Sequence, residues 1–200
     1  MPFDRSYAIG KLATLWLWKL TETEAVLAEG MTKHPRLAAR LSQIKSSSHR
    51  QGIWAVQHLL READIDPQTM KHDTQGIPRL PDQHISISHA RGYAALAIGK
   101  VPLGVDVEQM REQVHRIAPK FVHPSEQFAK TTADRIQLWT AKEAVYKAIE
   151  WPGIQLNKEL LIAPFDQQTA RAARHQEKKQ LKLYFYDLEQ HKATVALLQS

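Results

Sequence analysis

Two hundred residues carry 27 Lys and Arg against 21 Asp and Glu, a formal charge of +6, and no cysteine. The missing thiols exclude a disulfide scaffold, a zinc ribbon, an iron–sulfur centre and a cysteine nucleophile. With 43% apolar and 24% charged residues the chain is not of disordered composition, and its length predicts one packed unit or two halves packed as one.

The opening Met1-Pro2-Phe3-Asp4-Arg5-Ser6 has neither the basic start nor the apolar run of a secretory leader, and no stretch reaches the roughly 20 apolar residues of a bilayer span. A cytoplasmic location is therefore expected. Residues 12–18 are apolar and aromatic and predict a strand; Thr21-Glu22-Thr23-Glu24 then matches a capping box that starts a helix. From Met31 to Arg61 there is no Asp or Glu, yet Lys33, Arg36, Arg40, Lys45, Arg50 and Arg61 fall there with His34, His49 and His58. Helix surfaces ordinarily mix both signs, so an acid-free run of this length is expected to face a polyanion. Within it Ser46-Ser47-Ser48 caps a helix in which Ile53, Val56 and Leu60 recur, placing Arg50, Gln57 and Arg61 along one stripe.

A loop marked by Asp66-Pro67 and Gly76-Ile77-Pro78-Arg79-Leu80-Pro81 precedes three predicted strands at 84–88, 93–98 and 103–108. The short turns Arg91-Gly92 and Lys100-Val101-Pro102 make these strands antiparallel. Helices are predicted at 113–121, from His123-Pro124-Ser125-Glu126 onward, and at 133–150, followed by strands at 160–163, 181–186 and 193–198. A second basic stretch holds Arg171, Arg174, Lys178, Lys179 and Lys182. Helices mixed with antiparallel strands in both halves give an α+β fold, with no glycine-rich phosphate loop.

Three groups can carry chemistry. Asp106 and Glu108, two apart on a strand, project from one face; they are either a solvated pair or donors to a hard cation. Glu143 and Lys147, four apart on the helix, are either an exposed ion pair or a third carboxylate beside an ammonium that neutralises a phosphate oxygen. Ser88 and His89 end a strand at a turn, where a histidine is either structural or a ligand contact.

Together these segments resemble the 4′-phosphopantetheinyl transferase superfamily. The resemblance lies in Gly104-Val105-Asp106-Val107-Glu108 followed by Trp139-Thr140-Ala141-Lys142-Glu143-Ala144-Val145-Tyr146-Lys147. Ile87-Ser88-His89 is similar to the family's Ser-His turn, and Lys120-Phe121-Val122-His123-Pro124-Ser125-Glu126 to its Phe-Phe-Ser-Pro-x-Glu segment, in the family's order across residues 84–153. Length and the strands and basic helix ahead of the signature resemble the single-chain type. That implies two similar subdomains, 1–101 and 102–200, each a mainly antiparallel sheet with packed helices, the active site in the cleft between them, and a monomer.

The resemblance implies transfer of the phosphopantetheine arm of coenzyme A to a serine of an acidic apo carrier protein, with release of 3′,5′-ADP. It assigns Asp106, Glu108 and Glu143 to Mg²⁺, Lys147 to the pyrophosphate with Lys142 beside it, and Glu143, or a water it orients on the metal, to the base that takes the serine proton. Ser88 and His89 match phosphate-contacting positions; Arg50 and Arg61, with Arg40 and Lys45 behind them, are expected on the nucleotide's 3′-phosphate. Gly76 and Pro78 match a Gly-Lys-Pro turn near the adenine in which Ile77 replaces the lysine and Arg79 follows; Gln57 stands where many members carry arginine. Met110, Phe121 and Val122 are expected to form a docking patch for the carrier. Two other readings of the carboxylates and basic run are a metal-dependent nuclease and a non-catalytic nucleic-acid-binding module; the family resemblance implies neither nucleic acid nor membrane as partner.

Overall fold

The computed structural model describes residues 3–199; Met1 and Pro2, where the leader reading begins, and Ser200 lie outside them. In chain order the elements are β1 (Phe3–Ile9), β2 (Ala13–Lys19), α1 (Glu24–Ala28), α2 (Pro35–Ser42), α3 (Ser47–Glu62), β3 (Lys71–His72) and β4 (Pro78–Arg79). They continue with β5 (His84–Ala90), β6 (Tyr93–Gly99), β7 (Leu103–Gln109), α4 (Val114–Ile117), α5 (Thr132–Ile149), β8 (Leu160–Ile162), β9 (Thr169–Arg174), β10 (Glu177–Leu188) and β11 (His191–Leu198). The fold is α+β, with two larger antiparallel sheets of order β1-β2-β6-β5 and β7-β11-β10-β9-β8 and a small β3-β4 hairpin.

Alternation along the strands decides what covers each face. Leu15, Leu17, Ala95 and Ala97 of the first sheet meet Val105, Val107, Val195 and Leu197 of the second, so the two sheets pack face to face through a shared apolar layer. The outer face of the first sheet, with Trp18, Ile85, Leu96 and Ile98, is covered by α3 through Ile53, Val56 and Leu60. The outer face of the second, with Leu181, Leu183 and Ala196, is covered by α5 through Leu138, Ala141 and Val145. Strand β6 is consequently buried along its whole length.

The edges of the two sheets meet at β5 and β7. No backbone ladder joins them; Ser86 Oγ accepts the Val105 N–H at 3.0 Å and Ser88 Oγ accepts the Val107 N–H at 3.3 Å. The shared face read for these serines in the sequence thus stitches one half to the other. Two glycines set the depth of packing. A Cβ at Gly104 would lie 2.0 Å from the Ala144 carbonyl oxygen, and one at Gly52 would lie 2.6 Å from the His89 ring, so β7 presses on α5 and α3 presses on β5.

Several expectations are corrected. The cap of α1 is Thr23, whose side chain accepts the Val26 N–H, and the Glu22 carboxylate turns back to the Thr21 N–H. The helix expected at 113–121 is one turn of α4 followed by a 3-10 turn at Ala118–Lys120, because Pro119 has no N–H to continue an α-helix. His123-Pro124-Ser125-Glu126 starts no helix: the Glu126 side chain is buried and accepts the N–H groups of His123 and Ile162. Strands β1 and β9, helix α2 and the β3-β4 hairpin add to the expected elements; α2 carries a helical signal in Leu37 and Leu41, four apart and both buried, and begins where the His34 ring accepts the Leu37 N–H and Pro35 takes the first turn. Among the described residues no helix is long and apolar enough to cross a membrane.

Candidate active site

Asp106 sits on β7 at the seam between the halves, 5% exposed. Its Oδ1 accepts from Ser88 Oγ at 2.8 Å and from Lys147 Nζ at 2.8 Å; its Oδ2 is buried without a partner. A buried carboxylate oxygen left unsatisfied is costly. The Lys147 ammonium also donates to the carbonyls of Val105 at 2.9 Å and Ile87 at 3.4 Å, so it bridges β7 and β5 from the last turn of α5. The exposed Glu143–Lys147 pair is not what forms: Lys147 turns to Asp106 instead.

Glu143 and Glu108 stand close enough to Asp106 to repel it. Burial pushes the Glu143 carboxyl up to about 7, reinforced by the charges of Asp106 and then Glu108. Glu108 is raised by burial and by Asp106, while Arg111, 3.6 Å away, draws it back. Three half- or fully buried carboxylates near enough to feel one another's charge, one of them with an orphaned oxygen, are a donor set that a hard, oxygen-seeking cation would relieve. Among the described residues no three His, Asp or Glu side chains are already drawn into a coordination shell, and Lys147 holds the near side of Asp106. In chemistry the donors fit such a cation.

Beside this cluster lies a cleft of about 560 Å³, within the range of small-molecule sites. One wall is the Gly76–Pro78 turn with Arg40 and His72; the floor is Ser86, Ser88 and His89; the facing wall is Tyr146, Lys147, Glu150 and Pro152 of the second half. His89 is pressed against Gly52 and lies 4.7 Å from the His49 ring. Burial, then the charges of His49, Lys147 and Arg40, bring its imidazole down to about 4, so it presents a neutral ring near pH 7. Arg40 contacts the His72 ring and, among the described residues, no carboxylate. It is a cation at the cleft mouth without an anion.

Of the residues expected at the site, Ser88, His89, Gly76, Pro78 and Lys147 line this cleft, with Asp106, Glu108 and Glu143 clustered at its edge. Arg50 does not reach it: its guanidinium is held by Glu24 at 2.8 Å and by the carbonyls of Ile44 and Lys45. Arg61, one turn of α3 beyond the cleft-lining Gln57, donates to the Gly30 carbonyl at 3.2 Å in a neighbouring groove. Lys142 is fully buried beneath α5, bonded to Glu126 at 2.7 Å and to the carbonyls of Leu156 and Leu160, because neighbouring helix positions point about 100° apart and only one can face the seam. Phe121 is likewise core, edge-on to Trp139 at 5.0 Å, and so is no part of a docking patch; Met110 and Val122 are partly buried against the same core. Arg79 stands at the rim, engaged by Asp73 and Glu150. His72, Tyr146 and Glu150 are lining residues that sequence reasoning missed; Tyr146 and Glu150 fall three residues after Glu143 and after Lys147, a helical signal that could have found them, whereas His72 has none.

Residues 102–197 match the family model described as the 4′-phosphopantetheinyl transferase superfamily. The chain is 30% identical over 107 residues to the 4′-phosphopantetheinyl transferase Sfp of Bacillus subtilis, covering 50% of this chain and 47% of that one. It is 30% identical over 111 residues to the 4′-phosphopantetheinyl transferase ffp of Bacillus subtilis, covering 52% and 49%. A 75-residue stretch is 35% identical to the 4′-phosphopantetheinyl transferase gsp of Aneurinibacillus migulanus, covering 34% and 32%. The chain spans half or less of the length of these relatives.

Proposed function

We propose that the chain, whose residues 102–197 match the 4′-phosphopantetheinyl transferase superfamily, transfers the 4′-phosphopantetheine arm of coenzyme A to a serine of an acidic apo carrier protein. The observation that carries the reading is Asp106, one oxygen buried without a partner, beside Glu143 and Glu108 of raised proton affinity at the edge of a cleft with an unpaired cation at its mouth. Asp106, Glu108 and Glu143 would hold Mg²⁺, which when bound supplies positive charge to the pyrophosphate oxygens.

The chain's own groups divide the remaining work. Lys147 carries the ammonium nearest the carboxylates and is the group to neutralise a phosphate oxygen. The carrier serine Oγ forms a bond to the β-phosphorus, the bond from that phosphorus to the bridging oxygen breaks, and 3′,5′-ADP leaves with the electron pair. Glu143, or a water it orients, takes the serine proton. His89 offers a neutral N–H donor to the phosphates. Residues 1–101 take the nucleotide, with Arg40 and His72 at the 3′-phosphate in place of Arg50 and Arg61, and Gly76 and Pro78 against the adenine. Residues 102–200 take the cation, the pyrophosphate and the carrier. Both walls of the cleft come from one chain, which supports a monomer, and with coenzyme A and a carrier protein as partners the expected compartment is the cytoplasm.

The test is incubation with coenzyme A, Mg²⁺ and a panel of apo carrier proteins, read by intact mass. A gain equal to the phosphopantetheine arm is expected, with Glu143→Gln and Asp106→Asn about 10²- to 10⁴-fold slower. No gain on any carrier, with DNA cut or retained instead, refutes the transferase reading.

A further inference from the structure

Arg79 is the one residue of the expected nucleotide site whose donors are spent on two carboxylates from opposite sides of the cleft. Its Nε and Nη2 lie 3.0 and 2.9 Å from Asp73 Oδ2, and its Nη1 and Nη2 lie 2.6 and 2.7 Å from Glu150 Oε1 and Oε2. The second contact is the two-pronged geometry in which a guanidinium holds a carboxylate best. Asp73 organises the turn that forms the near wall, its Oδ1 accepting the N–H groups of Gln75 and Ile77. Glu150 caps the C-terminus of α5 in the left-handed conformation and lines the far wall.

The far wall is itself anchored. Lys179 donates to the Ile149 carbonyl at 3.5 Å and Arg174 to the Pro152 carbonyl at 2.9 Å, and both cations lie over the Trp151 ring, at 5.1 and 5.8 Å. Among the described residues, Arg79–Glu150 is the one ion pair that joins the β3-β4 hairpin to the second half. We infer that the Arg79–Glu150 fork is a positioning contact that holds the Asp73–Pro78 turn as a wall of the cleft, setting the affinity for the nucleotide portion of coenzyme A without Arg79 touching it. The inference rests on the coenzyme A reading for its ligand, but not for its geometry.

The charges predict an order of effects. Glu150→Gln removes the strap and leaves Arg79 on Asp73. Arg79→Gln also leaves Asp73 and Glu150 facing each other as like charges, so it loosens the wall more. Arg79→Lys keeps a point charge that cannot fork to both carboxylates and falls between wild type and Arg79→Gln. Because the pair is partly exposed, at 44% and 37%, high salt weakens it as well.

The chain has no cysteine, so spin labels at Gln75→Cys and Lys158→Cys report the distance from the turn to the second half against a clean background. The doubly labelled protein is expected to give one narrow distance distribution at low salt. That distribution broadens and lengthens in about 1 M salt, does so with Glu150→Gln, and does so most with Arg79→Gln. In parallel the KM for coenzyme A rises about 3- to 10-fold, in the same order, with kcat within about twofold. An unchanged distribution in Arg79→Gln overturns the positioning role whether or not the chain is a transferase. A broadened distribution with unchanged calorimetric affinity for coenzyme A, or a fall in kcat at constant KM, overturns the link between the wall and the ligand. No coenzyme A binding by the parent protein overturns the ligand assignment while the distance result still decides the geometry.

Discussion

Asp106 accepts two hydrogen bonds through one oxygen and none through the other, and Glu143 and Glu108 add negative charge where burial already disfavours it. The cost falls on Glu143. Its proton affinity is higher in the folded chain than in the unfolded one, so its contribution to stability is fully present below the unfolded carboxyl range and is lost as pH rises through about 7. In chelator, Glu143→Gln is therefore expected to be more stable than wild type at pH 8, by at most about 3 kcal/mol because the carboxyl keeps some solvent, with the gain vanishing near pH 4. Denaturant titrations across that range check it, and Mg²⁺ should raise the melting temperature of wild type at pH 8 and leave the variant almost unmoved. Lys142 tests the opposite assignment. Removing one partner of its buried pair with Glu126 should destabilise by about 3–5 kcal/mol, so Lys142→Met is expected to melt far below wild type; a coenzyme A contact would instead raise KM with stability intact.

At the scale of elements, the site depends on how closely β7 lies under α5. Gly104 makes that approach: any Cβ there would enter the Ala144 carbonyl, and relief would push α5 outward together with Glu143 and Lys147. Gly104→Ala is expected to cost about 3 kcal/mol or more, at the upper end of overpacking penalties, and to lose transfer activity even in the fraction that stays folded. A Gly104→Ala protein with wild-type melting and activity would mean the helix can shift freely. The residue types and spacing of this strand and helix were legible because both elements are regular. The β3-β4 hairpin was not, since strands of two residues are too short to show a period and the Asp73 side chain holds the turn through backbone N–H groups.

For the whole molecule, the positive excess divides into three fates. Arg50 and Arg61 bind carboxylate or carbonyl oxygens of their own half, Arg174 and Lys179 brace the end of α5, and Arg40 is left at the cleft mouth. Arg40→Ala is accordingly expected to raise the coenzyme A KM about 10-fold, the loss of one charge-assisted contact, with little change when 3′-dephospho-coenzyme A is the donor. Arg50→Ala should leave that KM unmoved and lower stability by about 1 kcal/mol, as a partly exposed pair does. Equal losses with both donors would place Arg40 elsewhere than the 3′-phosphate.

By itself the sequence determined the α+β class, the antiparallel β5-β6 pair, the long helix, and the faces shared by Asp106 with Glu108 and by Glu143 with Lys147. Each of these follows from local spacing, which fixes the face on which a side chain stands. The expected antiparallel pairing of β6 with β7 does not form, since β7 joins the second sheet beside β11. Only the tertiary structure decided which charges face the cleft. Arg50, Lys142 and Arg40 look alike as residues in a basic run or a helix, and their roles differ because Glu24, Glu126 and the His72 ring reach them from distant parts of the chain.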